Sequence, residues 1–109
     1  MATTALCQVQ IIPPTGDIQY HSLTGVSGLV NIGRRRQNAA DIVLSHPAIA
    51  EYQAVLDCST WPWRLMALSG GSPIFCNGTP LPVEQFVELA AWDSLEIGAY
   101  TLLLVDAAD

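Results

Sequence analysis

The sequence predicts an all-β domain, either a sandwich or a barrel. Short runs rich in β-branched and aromatic residues recur between turn signals at roughly 8–12-residue intervals, a spacing typical of these folds. The chain has 109 residues, half of them hydrophobic and only 13% charged, which suffices for one core but not for two. We therefore expect a single domain over residues 1–109, with its core at about residues 6–105. Its ends are either natural termini or sites of excision from a longer chain.

Alternation and turn residues define the N-terminal strands. Residues 6–12 alternate aliphatic side chains with glutamines and stop at a Pro-Pro pair, because proline cannot donate to a ladder. Thr15-Gly16-Asp17 then turns the chain into a second strand at residues 17–23, which predicts a hairpin. Further apolar runs predict strands at residues 29–32, 41–44, 52–56 and 63–68.

Turns that contain glycine organise the second half of the chain. The segment 69–73 predicts a loop before a strand at residues 74–76. Asn77-Gly78 supplies the two positive-φ residues of a type I′ turn, so residues 79–81 should pair back across it. Two more strands, residues 95–97 and 100–105, are joined by a Gly-Ala turn and predict a C-terminal hairpin.

Residues 83–92 are ambiguous on local grounds. Val83, Phe86, Val87 and Ala90 recur with helical spacing, and the Glu-Leu-Ala-Ala run favours a helix. Because tertiary context commonly overrides such a preference, the choice between helix and strand depends on the rest of the chain.

Composition excludes several classes of function. A formal charge of −6 and four arginines cannot provide the broad basic surface that nucleic-acid binding needs. We therefore expect a protein partner and no nucleic acid. No run approaches the roughly 20 apolar residues of a membrane span, so no direct membrane insertion by this segment is expected. Three widely spaced cysteines without a C-x-x-C pair argue against disulfides and zinc, and favour a reducing, cytoplasmic setting.

Three of the four positive charges are consecutive, and they form the most specific candidate site. Arg34, Arg35 and Arg36 lie in a connection between two predicted strands, where binding groups are usually presented. An anion could bind to this guanidinium cluster. The alternative is a solvated run that keeps an apolar chain soluble.

Five fragments, taken in order and at their spacing, resemble the forkhead-associated (FHA) domain. They are NIGRRRQNAADIVL, IAEYQAVL, WRLMAL, CNG and WDSLEIGAYTLLLV, and they extend over residues 28–105. The resemblance implies a sandwich of two antiparallel sheets, with about eleven strands and with loops at one end that bind a partner, often a phosphothreonine peptide. It also implies that residues 86–89 form a strand and residues 91–93 a turn, which decides against the helix.

The resemblance implies a binding site that lacks most of the residues with which the family binds phosphothreonine. Arg34 matches the phosphate-reading arginine, but Ala50 and Glu51 replace the serine and arginine of the serine-arginine-any-histidine motif. Gln53 replaces the histidine of that motif, and the loop after the sixth strand lacks the Asn-Gly pair that grips the peptide backbone. The candidate binding residues are Arg34, Arg35, Arg36, Ser45, His46, Ala50, Glu51, Ser69 and Ser72.

Two of these candidates carry a plain alternative. Ser45 and His46 could supply a substitute hydroxyl and a titrating donor opposite the arginines, or they could simply form a turn ended by Pro47.

Trp61 is the expected exposed aromatic residue and Trp63 the core one. Because no nucleophile lies beside a base in the sequence, we expect no enzyme, no catalytic residue, no metal and no cofactor.

Two hypotheses of function follow. Within the FHA family the chain is most similar to the cytoplasmic domain of type III secretion inner-membrane ring proteins, on the DIVLS strand, the I-A stretch and the G-x-P-L-P hairpin. That similarity implies a non-catalytic, phospho-independent assembly module, the cytosolic part of a membrane-anchored protein. The alternative is an adaptor that reads phosphothreonine through the three arginines, although a phosphopeptide is the disfavoured partner. A module that docks within its own multidomain chain is a third interpretation.

Overall fold

Eleven β-strands and no helix make up the described part of the chain. The computed structural model describes residues 8–23, 26, 28–38, 40–59, 62–90 and 92–105. The strands are β1 (Gln8–Ile12), β2 (Gln19–Ser22), β3 (Leu29–Gly33), β4 (Ile42–Val43), β5 (Ala54–Asp57), β6 (Arg64–Ala67), β7 (Ile74–Cys76), β8 (Thr79–Pro80), β9 (Phe86–Glu88), β10 (Ser94–Ile97) and β11 (Tyr100–Val105).

The strands form two sheets that pack as a sandwich. A six-stranded sheet has the order β2-β1-β11-β10-β7-β8, and a five-stranded sheet has the order β4-β3-β5-β6-β9. All of the paired strands are antiparallel except β3 and β4, which pair in parallel. The predicted all-β sandwich is therefore confirmed, with one parallel pair that the sequence did not predict.

Alternating side chains fill the space between the sheets. In the six-stranded sheet Val9 and Ile11 of β1 are buried opposite Leu104 and Leu102 of β11. Buried aliphatic residues of β3, β5 and β6 line the other sheet in the same alternating way. This period of two is the one expected of sheets with a single buried face, and it fixes the register of the strands that carry the loops.

The ambiguous segment is extended, as the family resemblance implied. Val83 forms an isolated bridge with Ala67, and the amide of Leu89 donates to the carbonyl of Trp63 at 2.8 Å. Glu84 and Trp92 have φ values of 64° and 69°, which a helix does not allow. Pairing with β6 therefore overrides the local preference for a helix.

Several predicted boundaries shift by one or two residues. The predicted strand at residues 41–44 shortens to Ile42–Val43, and the strand at residues 52–56 begins instead at Ala54. Tyr52 lies outside it with 37% of its surface exposed. Asn77 and Gly78 have φ values of 51° and 86°, which confirms the type I′ turn. Trp61 lies outside the described residues.

Candidate functional site

Three loops meet at one end of the sandwich, which we call the binding end. They are the arginine loop (residues 34–38), the β4–β5 loop (residues 44–53) and the β6–β7 loop (residues 68–73). The guanidinium of Arg34 donates to the carbonyl of Ile49 at 2.8 Å, and the hydroxyl of Ser72 donates to the carbonyl of Ala48 at 3.0 Å. The β4–β5 loop therefore contacts both of the others.

A buried carboxylate accepts hydrogen bonds from the backbone of the arginine loop and of β3. Asp41 is 1% exposed, and its oxygens accept from the amides of Asn31, Gln37 and Asn38 at 3.0, 2.9 and 2.8 Å. Burial disfavours the charged carboxylate, but the three amide donors outweigh this and lower its pKa. Asp41 thus fixes the backbone at the C-terminal end of the arginine loop and joins it to β3.

Glu51 supplies an internal counter-ion to the arginine loop. One of its carboxylate oxygens lies 3.9 Å from Arg34 and 3.6 Å from Arg35. The backbone brings these residues together, because the amides of Arg34 and Arg35 donate to the carbonyls of Ala50 and Glu51. The side chain at the position of the motif's arginine therefore points at Arg34 and Arg35.

The close approach of these two loops requires glycine at position 33. A Cβ on Gly33 would collide with the backbone carbonyl of Glu51. Because backbone cannot move aside as a flexible side chain can, any larger residue here would separate the arginine loop from the β4–β5 loop.

Gln53 joins the β4–β5 loop to the β6–β7 loop. Its side chain is completely buried, and its Oε1 accepts from the amides of Ala50 and Ser72 at 3.1 and 3.3 Å. Its Nε2 donates to the carbonyl of Ser72 at 2.6 Å. A Cβ on Gly71 would collide with this amide group, so the contact depends on glycine at position 71.

Tyr52 adds an exposed aromatic ring to the binding end, in contact with Gln37 of the arginine loop. Its hydroxyl accepts from Nε2 of Gln37 at 3.1 Å, and Oε1 of Gln37 accepts from the side-chain amide of Asn31 at 3.0 Å. We define the arginine patch as Arg34, Arg35, Arg36, Glu51 and Tyr52. With three guanidinium groups and one carboxylate, the patch carries a local charge of about +2 on a chain whose formal charge is −6.

The remaining candidates lie around the patch. The ring of His46 accepts from the amide of Ala48 at 3.0 Å and packs edge-on against Tyr100, with 6.4 Å between ring centroids. Ser45 is exposed next to it. The amide of Ser69 donates to Glu84 at 3.3 Å. Local contacts of this kind favour the turn interpretation of residues 45 and 46.

Sequence reasoning missed two of the residues that shape the binding end. The sequence pattern places Asp41 in a strand, and Gln53 stands out only as a replacement for a histidine. The aspartate three residues after Asn38 is a typical signal for a local side-chain-to-backbone turn. No comparable signal exists for Gln53, because its partners at Ser72 are 19 residues away.

The described residues contain neither a cluster of metal ligands nor a helix that could span a membrane. Within residues 8–105, as far as they are described, no three histidine, cysteine or acidic side chains are grouped to hold a metal ion. The same residues include no helix of the length and apolarity that a membrane span requires.

Comparison with known proteins relates this geometry to one family. The family described as the cytoplasmic domain of the inner-membrane component of the type III secretion system (Yop-YscD) matches residues 21–108. Comparison with the sequences of curated proteins gave no match.

Several solved structures, FHA domains among them, share the fold. That of the CT664 protein of Chlamydia trachomatis is 22% identical, with a TM-score of 0.78 over 96% of this chain and 100% of that one. Full-length yeast Pml1p is 16% identical, with a TM-score of 0.76 over 94% and 83% of the two chains. An FHA domain studied for phosphothreonine-dependent interactions is 18% identical, with a TM-score of 0.72 over 90% and 95%. At these identities the likeness concerns the fold.

Proposed function

Because this chain belongs to the Yop-YscD family of FHA-type cytoplasmic domains, we propose that it is a phospho-independent protein-interaction module of a type III secretion apparatus. In this role it acts on the cytoplasmic side of the inner membrane and performs no catalysis. The observation that carries the proposal is the Glu51 carboxylate, which lies within 4 Å of the two guanidinium groups that a phosphate would need.

The energetics of the arginine patch disfavour phosphate. A carboxylate about 6 Å from a phosphate charge repels it by roughly 3 kcal/mol at an effective dielectric constant of ~20, and by less where water screens the pair. The missing serine hydroxyl at Ala50 removes a charge-assisted hydrogen bond of about 1.5–3 kcal/mol. Part of Arg34 is also already engaged by the carbonyl of Ile49.

The same patch suits a protein partner with an acidic surface. Arginine and tyrosine are enriched among energetically important interface positions, and the hydroxyl of Tyr52 is held by Gln37 of the arginine loop. Since Asp41 holds the backbone of residues 37 and 38 in place, this end of the loop loses little conformational entropy when a partner binds.

A peptide-binding experiment tests phospho-independence. We expect a phosphothreonine peptide library to contain no binder of the native domain tighter than about millimolar. The double variant Ala50→Ser with Glu51→Arg should gain about 3 kcal/mol, or roughly a hundredfold, since it adds a hydrogen bond and turns repulsion into attraction. NMR titration should then show shifts at residues 33–37 and 50.

The matched control separates a local effect from overall charge. Glu88→Arg makes the same charge change at an exposed position of β9, and it should leave phosphopeptide binding unchanged. Micromolar binding by the native domain, lost in Arg34→Ala and absent for the unphosphorylated peptide, would refute the proposal and establish the phosphothreonine adaptor instead.

A further inference from the structure

The first two arginines of the arginine patch make different contacts within the fold. The guanidinium of Arg34 donates to the carbonyl of Ile49 at 2.8 Å, and its backbone amide donates to the carbonyl of Ala50 at 3.0 Å. Ile49 is a core residue that is 1% exposed. Arg34 therefore joins the arginine loop to the β4–β5 loop twice, and a ligand that drew its guanidinium away would break the bond to Ile49.

Arg35 is more accessible to a partner. Its side chain is 63% exposed, against 41% for Arg34, and its guanidinium lies 3.6 Å from the carboxylate of Glu51, which is too long for a hydrogen bond. The pair of Arg64 and Asp57 provides a comparison within the same chain, because these groups approach to 3.0 Å and the Asp57 side chain is 13% exposed. The guanidinium of Arg35 therefore retains N–H donors for an external acceptor.

A series of hydrogen bonds makes the hydroxyl of Tyr52 a donor. Nδ2 of Asn31 donates to Oε1 of Gln37, and Nε2 of Gln37 donates to the Tyr52 hydroxyl. The direction is set at the inner end of the series, where the Asn31 side chain also bonds Asp41, because an ionised carboxylate only accepts. Since the Tyr52 oxygen accepts from Gln37, its own O–H is left to donate to a partner.

The backbone places this donor next to Arg35. The amide of Arg35 donates to the carbonyl of Glu51 at 3.3 Å, and that carbonyl belongs to the peptide group that precedes Tyr52. The tyrosine side chain thus begins near Arg35 and ends at Gln37, two residues further along the arginine loop. A guanidinium and a phenol O–H at neighbouring positions can donate together to one anionic group.

We propose, in an inference that rests on the proposed function, that a side-chain carboxylate from an acidic segment of the partner binds to Arg35 and to the Tyr52 hydroxyl. Arg34 positions the β4–β5 loop. Ligand contact is thereby assigned to the second arginine of the loop and not to the one that matches the phosphate-reading position of the FHA family.

Charge favours a carboxylate at this pair of donors. A carboxylate carries one negative charge and a phosphate about 1.5 to 2, so Glu51 repels the carboxylate roughly half as strongly. The formal charge of −6 on the whole chain has little effect on a short segment, because salt screens charges beyond about 8 Å at physiological ionic strength. The segment therefore responds mainly to the positive charge of the patch, for which Glu51 competes.

Peptides with and without carboxylates test the class of ligand. The probe is an oligoglutamate with blocked ends, and its companions are an oligoglutamine and an oligoglutamine that contains a phosphothreonine. In NMR titrations at low salt, the oligoglutamate should bind the native domain at about millimolar, with shifts at residues 35–37 and 52, and the oligoglutamine should not bind. Glu51→Gln should tighten oligoglutamate binding about fivefold, since it removes the competing carboxylate.

Conservative variants, made in the Glu51→Gln background, test the individual roles. Arg35→Lys keeps the charge but loses the planar pair of donors, and Tyr52→Phe removes only the hydroxyl; each should weaken oligoglutamate binding about threefold, with little change in the urea midpoint. Arg34→Lys should lower the midpoint and weaken binding less than Arg35→Lys. Tyr20→Phe in β2 and Arg64→Lys in β6 are matched controls outside the binding end, and they should leave binding unchanged.

The outcomes separate this role of Arg35 and Tyr52 from the proposed function. Micromolar binding of the phosphothreonine peptide by the native domain refutes the proposed function, and the role of the two residues with it. If that peptide does not bind and the oligoglutamate also fails to bind Glu51→Gln, phospho-independence stands and the role of the two residues is overturned. That role is equally overturned if Tyr52→Phe leaves binding unchanged, or if Arg34→Lys costs as much affinity as Arg35→Lys.

Discussion

Replacing Gln53 should destabilise the binding end by more than the loss of one hydrogen bond would, because its side chain makes three. Gln53→Leu keeps the volume of the side chain approximately but removes both acceptor contacts and the donor contact. Two backbone amides, of Ala50 and Ser72, and the carbonyl of Ser72 then lose their partner. Each such group costs about 1–3 kcal/mol when it stays buried. Because the loops lie near solvent and water can replace part of the loss, we expect a total of about 3 kcal/mol.

The assay must distinguish global stability from local opening. Urea denaturation should show a lower midpoint with an unchanged m-value, and hydrogen exchange should show faster exchange at the amides of Ala50 and Ser72. Gly71→Ala is an independent perturbation of the same contact, since its Cβ would collide with the Gln53 amide. It should accelerate exchange at the same two amides.

A charged variant provides the sharpest test of the donor contact. Gln53→Glu retains an acceptor for the two amides, but its carboxylate repels the carbonyl of Ser72. Protonation restores an O–H donor, so the deficit of this variant relative to the native chain should shrink as the pH falls through the pKa of the new group. If Gln53→Leu matched the native domain within about 0.5 kcal/mol and left both amides protected, the bridging role of Gln53 would be wrong.

Two further predictions concern buried ionisable groups. Asp41→Asn should cost about 1.5–3 kcal/mol at neutral pH, since an amide nitrogen cannot accept from the loop amides. The pKa of Asp41 is lowered from 3.8, so its stabilisation is complete above that value and is lost as the pH falls below it. The unfolding free energies of the native and Asp41→Asn domains should thus converge below pH 3.8, and a constant gap would contradict this. Burial, and secondarily Asp57, raises the pKa of the Cys58 thiol to about 12. At pH 8 its thiolate fraction is on the order of 10⁻⁴, so alkylation of the native domain followed by mass spectrometry should leave Cys58 unmodified until denaturant is added; prompt labelling would contradict its burial.

Local chemistry made much of the fold predictable. The Asn77-Gly78 turn permits only a narrow set of backbone conformations, so the hairpin of β7 and β8 was readable directly. The strand at residues 86–88 was not, since the side chains of its segment favour a helix and only pairing with β6 decides. For this segment the family resemblance predicted the strand that local propensity could not.

The binding end was less predictable, because its geometry comes from distant contacts. The position of Glu51 beside Arg34 follows from loop-to-loop backbone bonds between residues 34–35 and 50–51, which no short pattern encodes. Strand β4 is only two residues long and pairs in parallel with β3. The preceding residue, Asp41, accepts hydrogen bonds from the loop amides of Gln37 and Asn38, and its position next to an apolar strand masks that role in the sequence.

The pairing of the first and last described strands has a consequence for how the domain would be attached to neighbouring segments. Gln8 lies directly opposite Val105 in the six-stranded sheet. Both residues are at the end of the sandwich opposite the turn at Gly98. Gly98 itself lies close to Ile49 and Ser72 of the binding end. Any segment continuing from either position therefore departs from nearly the same point. An anchor attached through either end would leave the arginine patch facing outward, away from the attachment, and the sandwich would act as a spacer between the two.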